Sequence, residues 1–223
     1  MYLPKPFEEA DSEALHALIR AAPLATLVIH TQDGLVANHI PFVLHLAESE
    51  PVKLQAHIPR SNPLSSILEV ARDCLAIFHG PEGYISPSFY ATKKVHGKVV
   101  PTWNYSVVHV HGKLRAVDDV DWILNQVEAL TNQHERPRVK PWEVSDAPAE
   151  FTQRLTRVLI GLELDVERMV GKTKASQNQP KENQASILRA LDEEAPEAEL
   201  SDLMHSVLGN ASARATESTD CQS

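Results

Sequence analysis

The sequence is poor in cysteine and has no long apolar run, and each shortage excludes a class of protein. Its 223 residues include two cysteines, Cys74 in an apolar run and Cys221 in a polar segment, so no disulfide framework is expected. The N-terminal residues lack the basic and apolar regions of a signal peptide. No apolar run reaches the roughly 20 residues that a membrane-spanning helix needs. We therefore expect a cytoplasmic protein that has no membrane segment.

Positive charge is also scarce. The 21 lysines and arginines are outnumbered by 30 aspartates and glutamates, which gives a net charge of −9 at pH 7. Binding to nucleic acid or to an anionic membrane needs a basic surface that neutralises phosphate groups. Direct DNA binding by this chain is therefore doubtful.

Several chemical signatures are missing as well. The sequence contains no Cys-x-x-Cys, His-Glu-x-x-His, Gly-x-Ser-x-Gly or Walker pattern, so zinc enzymes, serine hydrolases and nucleotide triphosphatases are not indicated. His109 and His111 lie two residues apart on a predicted strand and share a face, as metal ligands sometimes do. Because the spacing supplies no third ligand, we expect no metal site and identify no catalytic residue.

The patterns that are present predict a mainly β protein with several helices. Short hairpin links, such as Gln32-Asp33-Gly34, indicate an antiparallel barrel with helices packed outside it. We expect residues 1–180 to form the main domain and residues 181–223 a helical extension, with disorder beyond Gly209. Apolar and β-branched runs predict strands over residues 24–31, 35–46, 52–58, 74–79, 98–117 and 159–170. Helical spacing and capping residues predict helices over residues 12–22, 64–71, 120–134, 149–158, 185–191 and 200–208.

One stretch, from Gly80 to Tyr105, concentrates aromatic and basic residues. Aromatic rings suit a planar ligand, and lysine ammonium groups and hydroxyls suit a phosphate, so the stretch is typical of a site for a planar anion. The alternative is an exposed loop whose aromatic residues belong to the core. The residues concerned are Tyr84, Phe89, Tyr90, Trp103 and Tyr105, with Lys93, Lys94 and Lys98.

Two further clusters could bind an anion. The first runs from His57 to Pro63, where Arg60 precedes the N-terminus of a predicted helix. The second runs from Gly171 to Asn178 and follows a predicted strand. The alternatives are a capped helix with a solvated arginine in the first case and a polar linker in the second.

These stretches together resemble the PaiB family of FMN-binding negative transcriptional regulators, which is part of the FMN-binding split-barrel superfamily. The matching pieces are spread from Met1 to Pro180, so the resemblance covers most of the chain. They are MYLPKPF, PLATLV, HIPF, H-x-x-R-x-NP, IFHGPEGYISPSFY, VPTWNY-x-x-VH-x-HG and GKTKASQNQP.

The resemblance implies a homodimer of split β-barrels with peripheral helices, in which FMN lies in a groove at the dimer interface. It implies that Arg60 and Asn62 serve the phosphate, with Lys93 or Lys94 assisting. The residues implied to line the flavin or the dimer contact are Tyr84, Ser86, Tyr90, Thr102, Trp103 and Asn104. Those implied to close the groove, from the same or the partner subunit, are Lys172, Lys174, Ser176 and Gln177.

The function implied by the resemblance is that of a negative transcriptional regulator or a flavin or redox sensor. Since barrels of this type carry several functions, the fold does not choose among them. A flavin-dependent oxidoreductase is the alternative, and haem binding through His109 or another histidine is a third hypothesis.

Overall fold

The computed structural model describes residues 1–46, 51–68, 70–194 and 198–217. Its strands are β1 (Glu8–Glu9), β2 (Leu24–Thr31), β3 (Gly34–Pro41), β4 (Val43–His45), β5 (Lys53–Pro59), β6 (Arg72–Ile85), β7 (Thr102–Val117) and β8 (Leu159–Lys174). Its α-helices are α1 (Ser12–Ala21), α2 (Leu64–Ile67), α3 (Lys93–His96), α4 (Val120–Glu135), α5 (Ala149–Thr156), α6 (Lys181–Glu194) and α7 (Ala198–Glu217). None of the helices in these ranges is long and apolar enough to cross a membrane.

The strands of the described residues form one sheet in the order β3-β2-β6-β7-β8-β5-β4, with β1 paired to β8. Antiparallel pairing joins β2 to β3, from Leu24 opposite Pro41 to Thr31 opposite Gly34. Strand β5 pairs antiparallel with both β4 and β8. The expected mainly β architecture, an antiparallel sheet with helices, is confirmed.

The first hairpin shows how local sequence sets these strands. Alternate residues of β2, namely Ala25, Leu27 and Ile29, are buried, as expected for a strand with one face on the core. The turn after Thr31 needs a left-handed backbone, and Gly34 supplies it with a φ of 107°. The Thr31 hydroxyl donates to the Gly34 carbonyl at 2.9 Å and closes the predicted turn.

Helix α4 also follows its sequence signals. The Asp119 carboxylate accepts from the Trp122 backbone N–H at 2.9 Å, which caps the first turn. Ile123 is fully buried. Gly161 on β8 lies directly against the Trp122 ring, and a Cβ at this position would overlap that ring. The glycine therefore allows the helix to pack closely.

Helix α7 differs from the expectation. It continues past the expected end at residue 208, over residues 210–217 to Glu217, and the disorder expected beyond Gly209 stays a prediction. This segment contains three alanines and an arginine, which favour helix and outweigh the polar residues between them. Residues 218–223, which the same prediction covered, lie outside the described residues.

Other boundaries are shifted as well. Strand β6 continues to Ile85, well past the expected end at residue 79. Strand β7 begins at Thr102 rather than at residue 98, and helix α2 ends at Ile67 rather than at residue 71. The short helix α3 was not expected.

The chain divides into two compact units. Unit 1 contains Met1–Asp11, His79–Val107 and the described residues from Gly171 onward, and unit 2 contains Ser12–Phe78 and Val108–Val170. The domain boundary expected at residue 180 stays a prediction. The core of unit 1 contains Ile85, Tyr90, Ala175, Ile187, Leu191, Leu200, Met204 and Leu208, so helices α6 and α7 contribute most of it. The core of unit 2 includes Ile19, Leu27, Phe42, Leu54, Phe78, Leu114, Leu162 and Leu164.

Candidate functional site

Two aromatic rings lie side by side on the surface of unit 1. Tyr84 on β6 and Trp103 on β7 have ring centroids 6.2 Å apart and planes inclined at 60°, and both side chains are about half exposed. Their chain neighbours Ile85 and Asn104 are fully buried, because successive residues of a strand point to opposite faces. Tyr105 lies two residues after Trp103 and so belongs to the same face of β7 as that ring.

Lys174 of β8 reaches the start of β7. Its ammonium group donates to the Thr102 hydroxyl, and also to the Trp103 carbonyl oxygen at 2.8 Å. Burial lowers the pKa of the Lys174 ammonium, the Tyr105 hydroxyl opposes the shift, and the positive charge of Lys172 adds to it. The two hydrogen bonds therefore hold the Lys174 amine close to Trp103.

Lys172, two residues earlier on β8, is only 8% exposed. Its ammonium group donates to the Tyr2 carbonyl oxygen at 3.2 Å, and lies 5.2 Å from the centroid of the Tyr105 ring and 5.8 Å from that of Tyr2. Contacts of this kind between a cation and a ring are attractive. Strand β1 pairs with β8 at Glu8 and Lys172, which holds the N-terminal segment beside the lysine.

Together these residues form a surface that we call the ring–lysine face, consisting of Tyr84, Trp103, Tyr105, Lys172 and Lys174. In the described part of the chain, neither lysine forms an ion pair with a carboxylate. A flavin ring system packs on aromatic side chains, and a phosphate dianion pairs with ammonium groups. The chemistry of this face therefore fits FMN.

Three other predicted site residues lie in the interior of unit 1 or fix its turns. Asn104 donates to the Ser176 hydroxyl at 2.9 Å, and Ser176 has a left-handed backbone with a φ of 58°. Gln177 accepts from the Ala175 N–H at 2.7 Å and donates to the Thr173 carbonyl at 2.6 Å. These side chains stabilise the turn that follows β8.

The predicted residues between β6 and β7 have mixed surroundings. The Ser86 hydroxyl accepts from the Ser88 N–H at 3.2 Å and caps a short 3-10 turn. Tyr90 is buried in the core of unit 1, and burial raises the pKa of its hydroxyl. Lys93 and Lys94 are exposed on α3.

Two residues of α6 that the sequence analysis missed hold this segment in place. Asn183 accepts from the Thr92 N–H at 3.1 Å. The Ser186 hydroxyl donates to the Phe89 carbonyl at 2.6 Å and accepts from the Ala91 N–H at 3.0 Å. No local signal marks these contacts, because the partners are more than 90 residues apart in the sequence.

Arg60 and Asn62, predicted to serve the phosphate, lie in unit 2 and already have partners. Arg60 donates through both terminal nitrogens to the Asp118 carboxylate and through Nε to the Arg157 carbonyl at 3.0 Å. The hydrogen bonds with Arg60 lower the pKa of Asp118, and the same bonds raise the pKa of Arg60. Asn62 accepts from the Leu64 N–H at 3.0 Å and so supports the turn before α2.

His109 and His111 are neighbours on β7. The His109 and His111 rings have centroids 6.5 Å apart. Burial and the charge of Arg168 lower the pKa of His111. Within the described ranges no three histidine, cysteine, aspartate or glutamate side chains are grouped as metal ligands.

Comparison with known proteins finds a matching family model and related sequences. A family model described as "Putative FMN-binding domain" matches residues 1–168. An uncharacterised protein of Emericella nidulans is 34% identical over 212 residues, which cover 79% of this chain and 84% of that protein. The Bacillus subtilis protein named protease synthase and sporulation protein PAI 2 is 26% identical over 210 residues, 93% of this chain and 98% of that protein. The resemblance drawn from the sequence motifs is confirmed.

A solved structure is similar as well. The FAD and heme binding protein from Mycobacterium smegmatis aligns with a TM-score of 0.53 and 15% sequence identity, over 82% of this chain and 79% of that chain. At this identity the likeness concerns the fold, and it confirms the split-barrel prediction.

Proposed function

We propose that this chain, which belongs to the FMN-binding domain family and takes FMN as its cofactor, is a flavin-binding regulatory protein that senses the state of the flavin. FMN supplies reversible one- and two-electron chemistry when it is bound. The protein would supply a binding surface that distinguishes the forms of the flavin. Regulation of this kind needs a cytoplasmic location, which is part of the proposal.

The observation that carries the proposal is the ring–lysine face of unit 1. Two lysines of low exposure lie beside three aromatic rings, and neither has a carboxylate partner in the described residues. Removing a lysine from water is costly unless a counter-charge arrives. A phosphate dianion is such a counter-charge, and the adjacent rings would receive the flat ring system of the same ligand.

Arg60, a residue of unit 2, is kept as a separate candidate for binding a phosphate. Its partner Asp118 is exposed, and an exposed ion pair contributes little to stability. A phosphate dianion offers Arg60 more charge than one carboxylate does, so it would replace Asp118 as the partner of Arg60. Lys93 or Lys94 would assist from α3.

A regulatory role is favoured over an oxidoreductase by two points. The ring–lysine face presents two ammonium groups and two tyrosine hydroxyls, with no carboxylate, thiol or imidazole among the five residues that define it. The relative from Bacillus subtilis also carries a name that refers to protease synthesis and sporulation rather than to a reaction. The function proposed is therefore ligand sensing.

The test compares FMN with riboflavin, which lacks the phosphate. Lys174→Gln should weaken the binding of FMN by about ten- to a hundredfold, the equivalent of roughly 1.5–3 kcal/mol for a charged contact. The affinity for riboflavin should stay nearly unchanged. Quenching of flavin fluorescence measures both affinities. Lys140→Gln, in the exposed loop after α4, is the control with the same charge change. Equal losses for both flavins, or none, would contradict the proposed site.

A second measurement separates the sensor from the enzyme. The FMN-loaded protein is mixed with NADH or NADPH in the absence of oxygen, and the flavin absorbance is followed. In a sensor, the flavin absorbance should fall slowly, at a rate that does not saturate with the concentration of NADH or NADPH. A rapid fall whose rate saturates would favour the oxidoreductase. A haem band in the purified protein would instead support the third hypothesis.

A further inference from the structure

Helix α5 of unit 2 buries polar residues and exposes apolar ones. Thr156 is buried, and Thr152 of the same face is half-buried. In contrast, Phe151 is 44% exposed and Leu155 is 45% exposed. A surface helix normally turns its apolar face toward the core, whereas no part of the chain that the structure describes covers this apolar face.

The apolar face continues beyond the end of the helix. Val158 is 54% exposed, and its backbone N–H donates to the Leu155 carbonyl at 3.1 Å, which keeps the last turn closed. Phe151, Leu155 and Val158 therefore follow the spacing i, i+4 and i+7 that places side chains in one row. We call this row the α5 stripe.

Positive charge borders the α5 stripe. The guanidinium carbon of Arg154 lies 5.7 Å from the centroid of the Phe151 ring, and Arg157 is exposed one turn from Arg154. In the described residues neither arginine forms an ion pair with a carboxylate. Residues 136–158 contain five cations and three carboxylates, although the chain as a whole carries −9.

Two of those three carboxylates already accept hydrogen bonds from nearby residues. Asp146 accepts from the Glu143 N–H at 3.0 Å, and Glu143 accepts from the Ser145 hydroxyl at 3.3 Å. The preceding loop also exposes apolar side chains, Val139 completely and Trp142 by about half. The surface is therefore both apolar and basic, which is uncommon on this acidic chain.

We propose that the α5 stripe binds an acidic amphipathic helix of a partner protein. Apolar residues of such a helix, spaced i, i+3 or i+4 and i+7, would pack in a row on Phe151, Leu155 and Val158. Its carboxylates would pair with Arg154 and Arg157, which sets the orientation and speeds the encounter. None of these side chains belongs to the ring–lysine face, although the backbone carbonyls of Arg157 and Val158 accept from Arg60.

Two other occupants fit less well. A second copy of the chain, docked by two-fold symmetry on the same stripe, would bring the arginines of both copies together and so oppose like charges. A nucleic acid would pair with the arginines but would leave the aliphatic residues Leu155 and Val158 without apolar contact. The acidic helix matches both the charge and the apolar row.

The experiment uses a labelled synthetic peptide of about 18 residues, long enough to be helical. Leucine stands at i, i+3, i+4 and i+7 and glutamate at most other positions, and a scrambled peptide of equal composition is the control. Binding to the full-length protein is measured by fluorescence anisotropy at physiological salt. We expect micromolar binding of the patterned peptide and at least tenfold weaker binding of the scrambled one.

Two double variants test the two halves of the surface. Phe151→Ser with Leu155→Ser should weaken the patterned peptide at least tenfold, and Arg154→Glu with Arg157→Glu should do the same. The replaced side chains are exposed, and circular dichroism checks that each variant is folded. Lys5→Glu with Arg189→Glu makes the same charge change at exposed positions of unit 1 and should leave the affinity within twofold.

Several outcomes would overturn the proposal. These are equal binding of the two peptides, no binding of the patterned peptide, or variants that bind as well as the wild type. Displacement of the peptide by double-stranded DNA, lost in the arginine variant, would make the surface a nucleic-acid site. A change from dimer to monomer in the serine variant would make it a contact between copies of this chain.

Discussion

At the scale of single residues, Arg60 and Asp118 form an ion pair with each other. Their side chains are joined through both terminal nitrogens of the arginine, and the Arg157 carbonyl accepts from Nε. The pair is exposed at the surface of unit 2, where water screens the attraction. Asp118 therefore competes with any phosphate for Arg60.

This competition predicts opposite effects for two variants. Arg60→Ala should weaken the binding of FMN by about ten- to a hundredfold more than that of riboflavin, since a charge-assisted contact is worth roughly 1.5–3 kcal/mol. Asp118→Asn should strengthen the binding of FMN and leave that of riboflavin unchanged, because it frees the guanidinium. Titration of each variant with both flavins measures the two ratios.

If Arg60 acts only through the fold, the two variants will behave alike. Both would then lower the melting temperature and keep the ratio of FMN to riboflavin affinity at the wild-type value. Arg138→Ala, which removes a different surface ion pair with Glu135, is the matched control for a general loss of charge.

At the scale of elements, the N-terminus of α4 depends on one side chain. The Asp119 carboxylate accepts from the Trp122 N–H and precedes the helix with an extended backbone. Asp119→Ala should lower the free energy of unfolding by about 0.5–2 kcal/mol, the usual cost of losing an N-cap. Urea denaturation measures the change.

The control for α4 keeps the cap and removes the charge. Asp119→Ser retains an oxygen acceptor and should recover most of the lost stability. Equal destabilisation by alanine and serine would show that the carboxylate contributes through its charge near the helix N-terminus rather than through the hydrogen bond.

Elements with local signals could be predicted from the sequence. Strand β2 and the turn at Gly34 were predicted because apolar alternation and a glycine that tolerates positive φ are both written in neighbouring residues. The cap at Asp119 is of the same kind. Strand β6 was predicted too short, since Gly80 and Pro81 indicate a turn and yet the sheet carries the strand on to Ile85.

The partners of the candidate site could not be predicted in the same way. The ion pair between Arg60 and Asp118 joins residues 58 positions apart, and the contact between Thr92 and Asn183 spans 91 positions. Side-chain contacts at such separations are decided by the packing of whole elements. The residue types of the site could therefore be predicted from the sequence. The sequence did not predict which of these side chains face solvent or which already have hydrogen-bond partners.

At the scale of the whole molecule, the exposed aromatic rings predict a homodimer. Tyr84 and Trp103 leave apolar surface in contact with water, and aromatic residues of this kind are enriched at interfaces between chains. Light scattering at micromolar concentration should give twice the mass of the 24.7 kDa chain. Trp103→Glu should shift the protein toward the monomer, and a wild-type monomer would contradict the prediction.

The distribution of basic residues predicts only weak binding to DNA. Of three basic clusters in the sequence, the one at Lys172 and Lys174 belongs to the ring–lysine face, which the proposed function assigns to the flavin. The cluster at Arg136 and Arg138 lies after α4 in a loop rich in proline, and Arg138 is paired with Glu135. The exposed lysines of α3 remain, on a chain with a net charge of −9.

Because a few cations on an acidic protein neutralise few phosphates, any complex with DNA should dissociate as salt is raised. A loop of this kind is also poorly suited to enter a major groove, where recognition usually comes from a helix or a strand pair. A gel shift at physiological salt should therefore show no sequence-specific complex at nanomolar protein. Specific retardation that disappears in the double variant Arg136→Ala with Arg138→Ala would instead make the protein a direct repressor, with this loop as its contact to DNA.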